Sequence, residues 1–378
     1  MSNSLNLDAW HAKAPVGRNL LGGLDGLRAV AIILVVCTHT IPSVFIKAPL
    51  LRILCTISTN GTAGVWLFFV LSGFLISMPF FRCAASPQWL PPGYAIRRAA
   101  KVIPPLYLSI VLLTAFSIYI FHNPRYIIGG LETMAFVEIF KPPDPMISPI
   151  YWTLAAEVSF YTLLPFLFIA SRRVPWLVPF ILMAISTATW AVVEGNPDSV
   201  ATRPFIRDVL LSFILFGWGA LFAWSHINFP GLMARYASKC VPVGIIGFIA
   251  VCSIRTHTWF IGIALVDGVV FRYLCSFAAG LSVFLILPII YGVPVLIYRF
   301  LCHPIMILTG LISYEWYLFH TLFLGLSQII TGNNLHGSIP GLVIRLIFTF
   351  PLAYTFAALV YRHFSLPILR WAHRLPSS

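Results

Sequence analysis

Ten apolar stretches of this chain read as spans of the hydrocarbon core of a bilayer, which takes about 20 residues of helix, the seventh being short. They fall near 24–45, 61–81, 102–121, 149–170, 174–193, 206–225, 240–254, 266–291, 303–328 and 340–361. A soluble globule of 378 residues is excluded by composition. Only 9% of the residues are charged, against about 25% in an average soluble domain. Disorder is excluded as well, because a chain that is 59% hydrophobic, with a mean hydropathy of +0.92, collapses. The fold expected is all-α: a polytopic membrane helix bundle of about ten transmembrane helices. No internal repeat is visible, which removes support for an inverted-repeat carrier.

The 24 Lys and Arg residues against 11 Asp and Glu give a formal charge of +13. On a soluble protein such a charge would point to nucleic acid. Here it reads as cytoplasmic loops anchored by basic residues, and no nucleic-acid partner is expected. With the amino terminus placed inside, fourteen basic residues fall on the cytoplasmic side and seven on the other. Both termini are therefore expected to be cytoplasmic. The expected division is a cytoplasmic segment 1–21, a membrane domain 22–365 and a cytoplasmic tail 366–378. The first residues lack a signal-peptide pattern, so the first apolar segment is expected to remain as an anchor. The seven cysteines form no C-x-x-C, and no H-E-x-x-H, G-x-S-x-G or phosphate-binding Walker loop occurs. Neither a metal site nor nucleotide hydrolysis is expected.

Ionisable groups inside spans are costly and mark function by default. In LDGLRAVAIILVVCTHT, Arg28 and His39 are eleven residues apart, which returns them to nearly the same helix face about 16 Å apart. A snorkelling Arg and a satisfied core His would give the same spacing. Glu157 lies in YWTLAAEVSFY and His320 in SYEWYLFHTLF. With the boundaries above, His39, Glu157 and His320 all sit roughly 9–12 Å below the outer face. That common depth suggests one polar chamber. The second span, NGTAGVWLFFVLSGFLIS, is rich in small residues that allow close helix packing. In YAIRRAAKVIPPLY, Arg97, Arg98 and Lys101 form a basic cluster in the loop before a helix opened by Pro104 and Pro105. The cluster is either a topological anchor or a phosphate clamp. Asp25 is placed to pair with Arg28 or to cap the first helix. Glu315 falls about a turn and a half deeper than His320.

Taken in order, these segments resemble the acyltransferase-3 family of integral membrane acyltransferases, which O-acylate carbohydrates and related acceptors. LDGLRAVAIILVVCTH is similar to the family's Arg/Lys, ten residues, His pattern at Arg28 and His39. GVWLFFVLSG, RRAAKVIPPLY, YWTLAAEVSFY and SYEWYLFH resemble four further motifs, the last two at Glu157 and His320. The resemblance covers 22–165 and 311–322. It implies His39, Glu157 and His320 as catalytic residues, with Arg28, Arg97, Arg98 and Lys101 on an acyl-coenzyme A co-substrate. Ser72, Asp25, Tyr314 and Trp152 are expected around the substrates. An acetyl donor is the simplest case, the acceptor is a hydroxyl of a carbohydrate or related molecule, and a bacterial inner membrane is the expected location. No resident cofactor is implied.

Three positions depart from the family pattern. Lys101 stands where a second Arg is usual, Ser365 where many members carry Glu before x-Pro, and Glu315 where the residue is usually small or neutral. A second class of function stays open from the residues alone: a proton-coupled transporter using His39, Glu157 and His320 as a relay. A non-catalytic scaffold would leave three deep ionisable residues without a purpose.

Overall fold

The computed structural model describes residues 18–41, 61–84, 90–195, 204–254, 296–332 and 338–375, and all regular structure in them is helical. The expected span 266–291, with Arg272, lies outside these residues. Among the described residues six helices are long and apolar enough to cross a membrane, where about ten spans were expected. They are Gly23–Thr40, Ala63–Cys83, Tyr94–Phe121, Pro149–Ala170, Asp208–Asn228 and Ile339–Arg374. Two expected spans appear shortened or broken, and the seventh, expected at 240–254, appears at those bounds. Leu177–Gly195 holds a shorter apolar helix, and Cys240–Ile254 has 15 residues. The span expected at 303–328 is broken at Ile312 into Pro304–Leu311 and Ser313–Thr331.

Four of these helices carry most of the polar chemistry: α1 (Arg18–Thr40), α2 (Thr62–Cys83), α3 (Tyr94–Phe121) and, after a short helix α4 (Tyr126–Met134), α5 (Trp152–Ala170). α3 begins eight residues before the expected span. Arg97, Arg98 and Lys101 therefore sit in its first two turns and not in a loop, and Pro104 and Pro105 are interior and do not open the helix. A proline has no N–H to give, so the Ala100 and Lys101 carbonyls lose their usual helical partners. Such breaks are tolerated in a bundle where neighbouring side chains supply other donors. Close by, the Tyr314 hydroxyl donates to the Val102 carbonyl at 3.0 Å and ties this part of the helix to its neighbour.

The last helix, α14 (Ile339–Arg374), follows α12 (Pro304–Leu311) and α13 (Ser313–Thr331), and it runs on past the expected end of the membrane domain. (The intervening α6 to α11 are Leu177–Gly195, Pro204–Leu211, Phe213–Asn228, Pro230–Tyr236, Cys240–Ile254 and Leu296–Leu301.) Two π turns widen α14, at Phe348–Leu352 and Tyr361–Ser365. The first offers the Thr349 carbonyl to the Trp316 indole N–H at 2.9 Å. The Thr40 hydroxyl donates to Thr349 Oγ1 at 2.9 Å, which ties α1 to the same turn.

Lipid tails are as apolar as leucine, so helices in a membrane gain most by close packing. Glycines provide it here. A Cβ on Gly73 would lie 2.3 Å from the Phe216 carbonyl oxygen, and one on Gly219 would lie 2.1 Å from that of Val70, so α2 and α8 touch backbone to backbone. Gly26 and Gly310 do the same for α1, whose neighbours there are Leu301 and α12. Two buried apolar clusters result, one around α2, α5 and α8 and the other around α3, α13 and α14. Val65 and Phe68 of α2 pack against both, and the polar cavity opens at that seam.

Outside the spans, Glu138 sits in a tight turn, Val137–Ile139, and is 3% exposed. Burial pushes its carboxyl up to about 7, while the facing Thr133 hydroxyl works in the other direction. In the unfolded chain the group titrates near 4.5. Between those values the folded protein holds a proton that the unfolded chain has lost, so stability falls as pH rises through that window. Glu138→Gln is expected to raise the unfolding temperature in detergent at pH 8 and to leave it unchanged at pH 4; a shift of equal size at both would contradict this. Gly219→Ala is expected to destabilise by about 1–3 kcal/mol through overpacking, whereas Gly231→Ala, where a Cβ meets nothing within 4 Å, should leave the same melting curve unmoved.

Candidate active site

Inside the seam is a cavity of about 90 Å³. It is small for a nucleotide but has room for a slim chain or several waters. Its charged lining is Arg28 from α1, Arg98 and Lys101 from α3, Glu157 from α5 and Glu315 from α13. The helical spacing explains the set. Arg98 and Lys101 are three apart on one face of α3, and Glu157 and Tyr161 are four apart on α5.

Each oxygen of Glu157 accepts one hydrogen bond. Ser72 Oγ donates to Oε1 at 2.9 Å and the Tyr161 hydroxyl to Oε2 at 3.0 Å. Tyr161 is itself held, because the Tyr94 hydroxyl donates to its carbonyl at 3.0 Å. The Arg98 guanidinium lies 6.0 Å from the centre of the Tyr161 ring, and its buried Nε has no hydrogen-bond partner among the described residues. Arg28 pairs with Asp25 at 3.2 Å, so Asp25 braces Arg28 from beside the cavity and does not line it. Arg97 donates to the Pro92 carbonyl and also lies outside the lining. Trp152 packs edge-on against Phe69, and it is the Phe69 ring that reaches the cavity. Tyr314 is in the lining, tied to α3 as described above.

The two histidines meet each other and not Glu157. His39 Nδ1 lies 3.2 Å from His320 Nε2, with ring centres 5.0 Å apart. His39 stands one residue before the end of α1, closer to that end than the expected span placed it. His320 is completely buried while His39 is exposed at the end of the bundle. Their tautomers follow from their partners. His320 Nδ1 is 2.6 Å from the Tyr317 carbonyl, which only accepts, so Nδ1 carries the proton and Nε2 is left as an acceptor. His39 Nδ1 faces that acceptor and, at 3.0 Å, the Val35 carbonyl. It too must donate. The lone pair of His39 is thereby placed on Nε2, on the open side of the ring.

Thr153 and Tyr317 link the cavity to the histidine pair. Both line the cavity, and their hydroxyls are 2.7 Å apart. The Tyr317 ring centre is 5.8 Å from that of His320. Sequence reading did not single out Tyr161, Thr153 or Tyr317. Each lies three or four residues from a residue it did name, on the same helix face, and that spacing was the available signal.

The chain matches the acyltransferase domain family (Acyl_transf_3) over residues 21–362 and belongs to it. The protein is thus a helical member of that family, with six apolar helices of membrane-spanning length among the described residues. It is 26% identical over 266 residues to the peptidoglycan O-acetyltransferase OatA of Listeria monocytogenes, a stretch covering 65% of this chain and 40% of that protein. It is 23% identical over 180 residues to nodulation protein 10 of Rhizobium leguminosarum bv. viciae, covering 42% of this chain and 47% of the relative. A putative peptidoglycan O-acetyltransferase of Bacillus subtilis, YrhL, is 24% identical over 244 residues, covering 58% and 35% respectively. The chain spans less than half the length of each of these relatives. No solved structure matches it.

Proposed function

We propose that the protein moves an acyl group, acetyl in the simplest case, from cytoplasmic acyl-coenzyme A to a hydroxyl of a carbohydrate at the outer face. The observation that carries this reading is the His39–His320 pair set above a cavity lined by three cations. The basic start of α3 is then the cytoplasmic end, as the excess of Lys and Arg on that side supports. Both termini are inside, in a bacterial inner membrane. The carbohydrate acceptor draws support from the two relatives named for peptidoglycan O-acetylation.

In this reading the phosphates of the donor rest against the basic end of α3, with Arg97 outside the cavity and Arg98 reaching in. A guanidinium fork suits phosphate oxygens better than an ammonium does. The slim arm carrying the thioester enters the bundle past Arg28 and Lys101. His39 acts as general base through Nε2, the atom its hydrogen bonds leave unprotonated. It takes the proton of the acceptor hydroxyl as the oxygen attacks the thioester carbonyl. The C–O bond forms, the C–S bond breaks, and the proton passes to the departing thiolate, so that coenzyme A leaves as the thiol. His320 keeps His39 in the reactive tautomer. Glu157, oriented by Ser72 and Tyr161, supplies fixed negative charge opposite the cations.

The deciding experiment incubates the reconstituted protein with labelled acetyl-coenzyme A and hydroxyl acceptors, including peptidoglycan fragments. Labelled ester on the acceptor is expected; a transporter would make none. His39→Ala is expected to lower turnover by about 10²–10⁴, the usual worth of a general base. His320→Ala should cost less, because it removes tautomer control and leaves the base. Near wild-type turnover in His39→Ala would sink the mechanism. Arg98→Ala should raise the donor KM more than Lys101→Ala does, and an unchanged donor KM in both would reduce the basic residues to topological anchors.

A further inference from the structure

The cavity has an uncharged end. Along α5 its lining runs from Tyr161 through Glu157 to Thr153, just over two turns or about 12 Å. On α13 the lining stops at Tyr317, three residues short of His320. Thr153 and Tyr317 thus form the end of the cavity that faces the histidine pair. Three donors converge there on one acceptor. The Ile150 carbonyl accepts from the Trp152 N–H, from the Thr153 hydroxyl at 2.9 Å and from the Tyr317 hydroxyl at 2.8 Å. A carbonyl oxygen has two lone pairs, so one of the three donors is surplus to it. The two hydroxyls are also 2.7 Å apart, and either can give its proton to the other.

A crowded acceptor of this kind gives up a donor at little cost. If one hydroxyl turns to a carbonyl oxygen brought into the cavity, Ile150 still keeps two donors and no buried group is left unpaired. Only a hydroxyl proton has to rotate, and neither α5 nor α13 has to move. Both side chains are buried, so bulk water does not compete for the proton. Donors fixed in advance at the point where charge develops are the largest single contribution to many acyl transfers. With the donor phosphates at the basic start of α3, the slim arm runs along this lining towards Thr153 and Tyr317. The thioester carbonyl then arrives at the two hydroxyls, with the histidine pair beyond them.

We propose that Thr153 and Tyr317 are catalytic residues of the transfer, whose hydroxyls hold the thioester carbonyl oxygen and the negative charge that forms on it. This rests on the acyl-transfer reading above. As the acceptor oxygen bonds to the carbonyl carbon, the π pair of the C=O bond moves onto the carbonyl oxygen, which accepts from the released hydroxyl. The pair returns as the C–S bond breaks, and the hydroxyl turns back to Ile150 or to its neighbour. Neither hydroxyl loses its proton, so the proton taken from the acceptor still passes through His39 to the thiolate.

The test measures kcat and donor KM in the reconstituted full chain, with acetyl-coenzyme A as donor, beside thermal unfolding. Tyr317→Phe keeps the ring and Thr153→Val keeps the shape, each without its hydroxyl. Each single variant retains one hydroxyl proton, so its kcat is expected to fall about tenfold, and that of the double variant by about 10²–10³, the usual worth of an oxyanion donor. The donor KM should stay within about threefold, because the contact strengthens only in the transition state. Thr153→Ser should recover most of the kcat that Thr153→Val has lost. A second readout is one that a merely structural role would not move. The infrared stretch of bound acetyl-coenzyme A, isotope-labelled at the carbonyl carbon, should lie lower in wild type than in the double variant. Three results would overturn the proposal: wild-type kcat in the folded double variant, a loss carried wholly by the donor KM, or one carbonyl frequency in both proteins. If the double variant does not fold, the two single variants decide by the same readouts. Failure of the acyl-transfer reading is distinguishable, because wild type itself would then make no product from acetyl-coenzyme A, and the proposal would fall with it.

Discussion

Five charged side chains share one cavity of about 90 Å³ inside a largely apolar bundle, and the surrounding structure has to keep them there. An ion in such surroundings is stable only with partners that replace its water. Each wall supplies some. Asp25 braces Arg28 from the preceding helical turn, Ser72 and Tyr161 close on Glu157, and Tyr94 holds Tyr161 in turn. The Asp25 and Tyr161 contacts lie within one helix each, but those of Ser72 and Tyr94 cross between helices and need close packing. The backbone contacts at Gly26, Gly73, Gly219 and Gly310 contribute to that packing elsewhere in the bundle. Close packing removes the lipid and water that would otherwise compete for the charges.

Much of this was legible in the sequence because membrane helices obey simple length and polarity rules. The spans at 61–81 and 149–170 fall almost on Ala63–Cys83 and Pro149–Ala170. Hydropathy failed where apolar character and helical continuity part company. Between 303 and 328 the chain is apolar enough on average to be read as one span, yet the helix breaks at Ile312, itself an apolar residue. Prolines misled in the opposite sense. Pro104 and Pro105 read as the start of a helix, the position that tolerates a missing N–H, whereas the helix had begun at Tyr94 and carries them inside.

The site shows the same division between what a pattern holds and what it omits. Depth along a helix can be counted from the sequence, and it put His39, Glu157 and His320 at one level. The direction in which a side chain turns depends on what the neighbouring helices present. Glu157 faces Ser72 of α2 and Tyr161 of its own helix, while the histidines face each other. The partners that fix these directions are hydroxyls of Ser, Thr and Tyr. Their number and ordinary polarity give no signal until a fold brings them within hydrogen-bond distance.

That dependence gives the protein two polar centres with different chemistry. At one, charges of both signs are balanced over several helices, an arrangement suited to holding an anionic molecule by one end. At the other, two neutral rings are ordered by backbone carbonyls of Val35 and Tyr317. Those carbonyls belong to regular helix turns, so they cannot move without unwinding α1 or α13. The tautomer they impose on His39 is therefore as rigid as the helices themselves. Between the centres, Thr153 and Tyr317 close a hydroxyl contact at 2.7 Å. They separate the charged cavity from the histidine pair by a polar but uncharged layer. Under the proposed mechanism, a group crossing that layer would leave the cations behind before it reached Nε2 of His39, keeping the proposed base away from a field that would weaken it by favouring its neutral form.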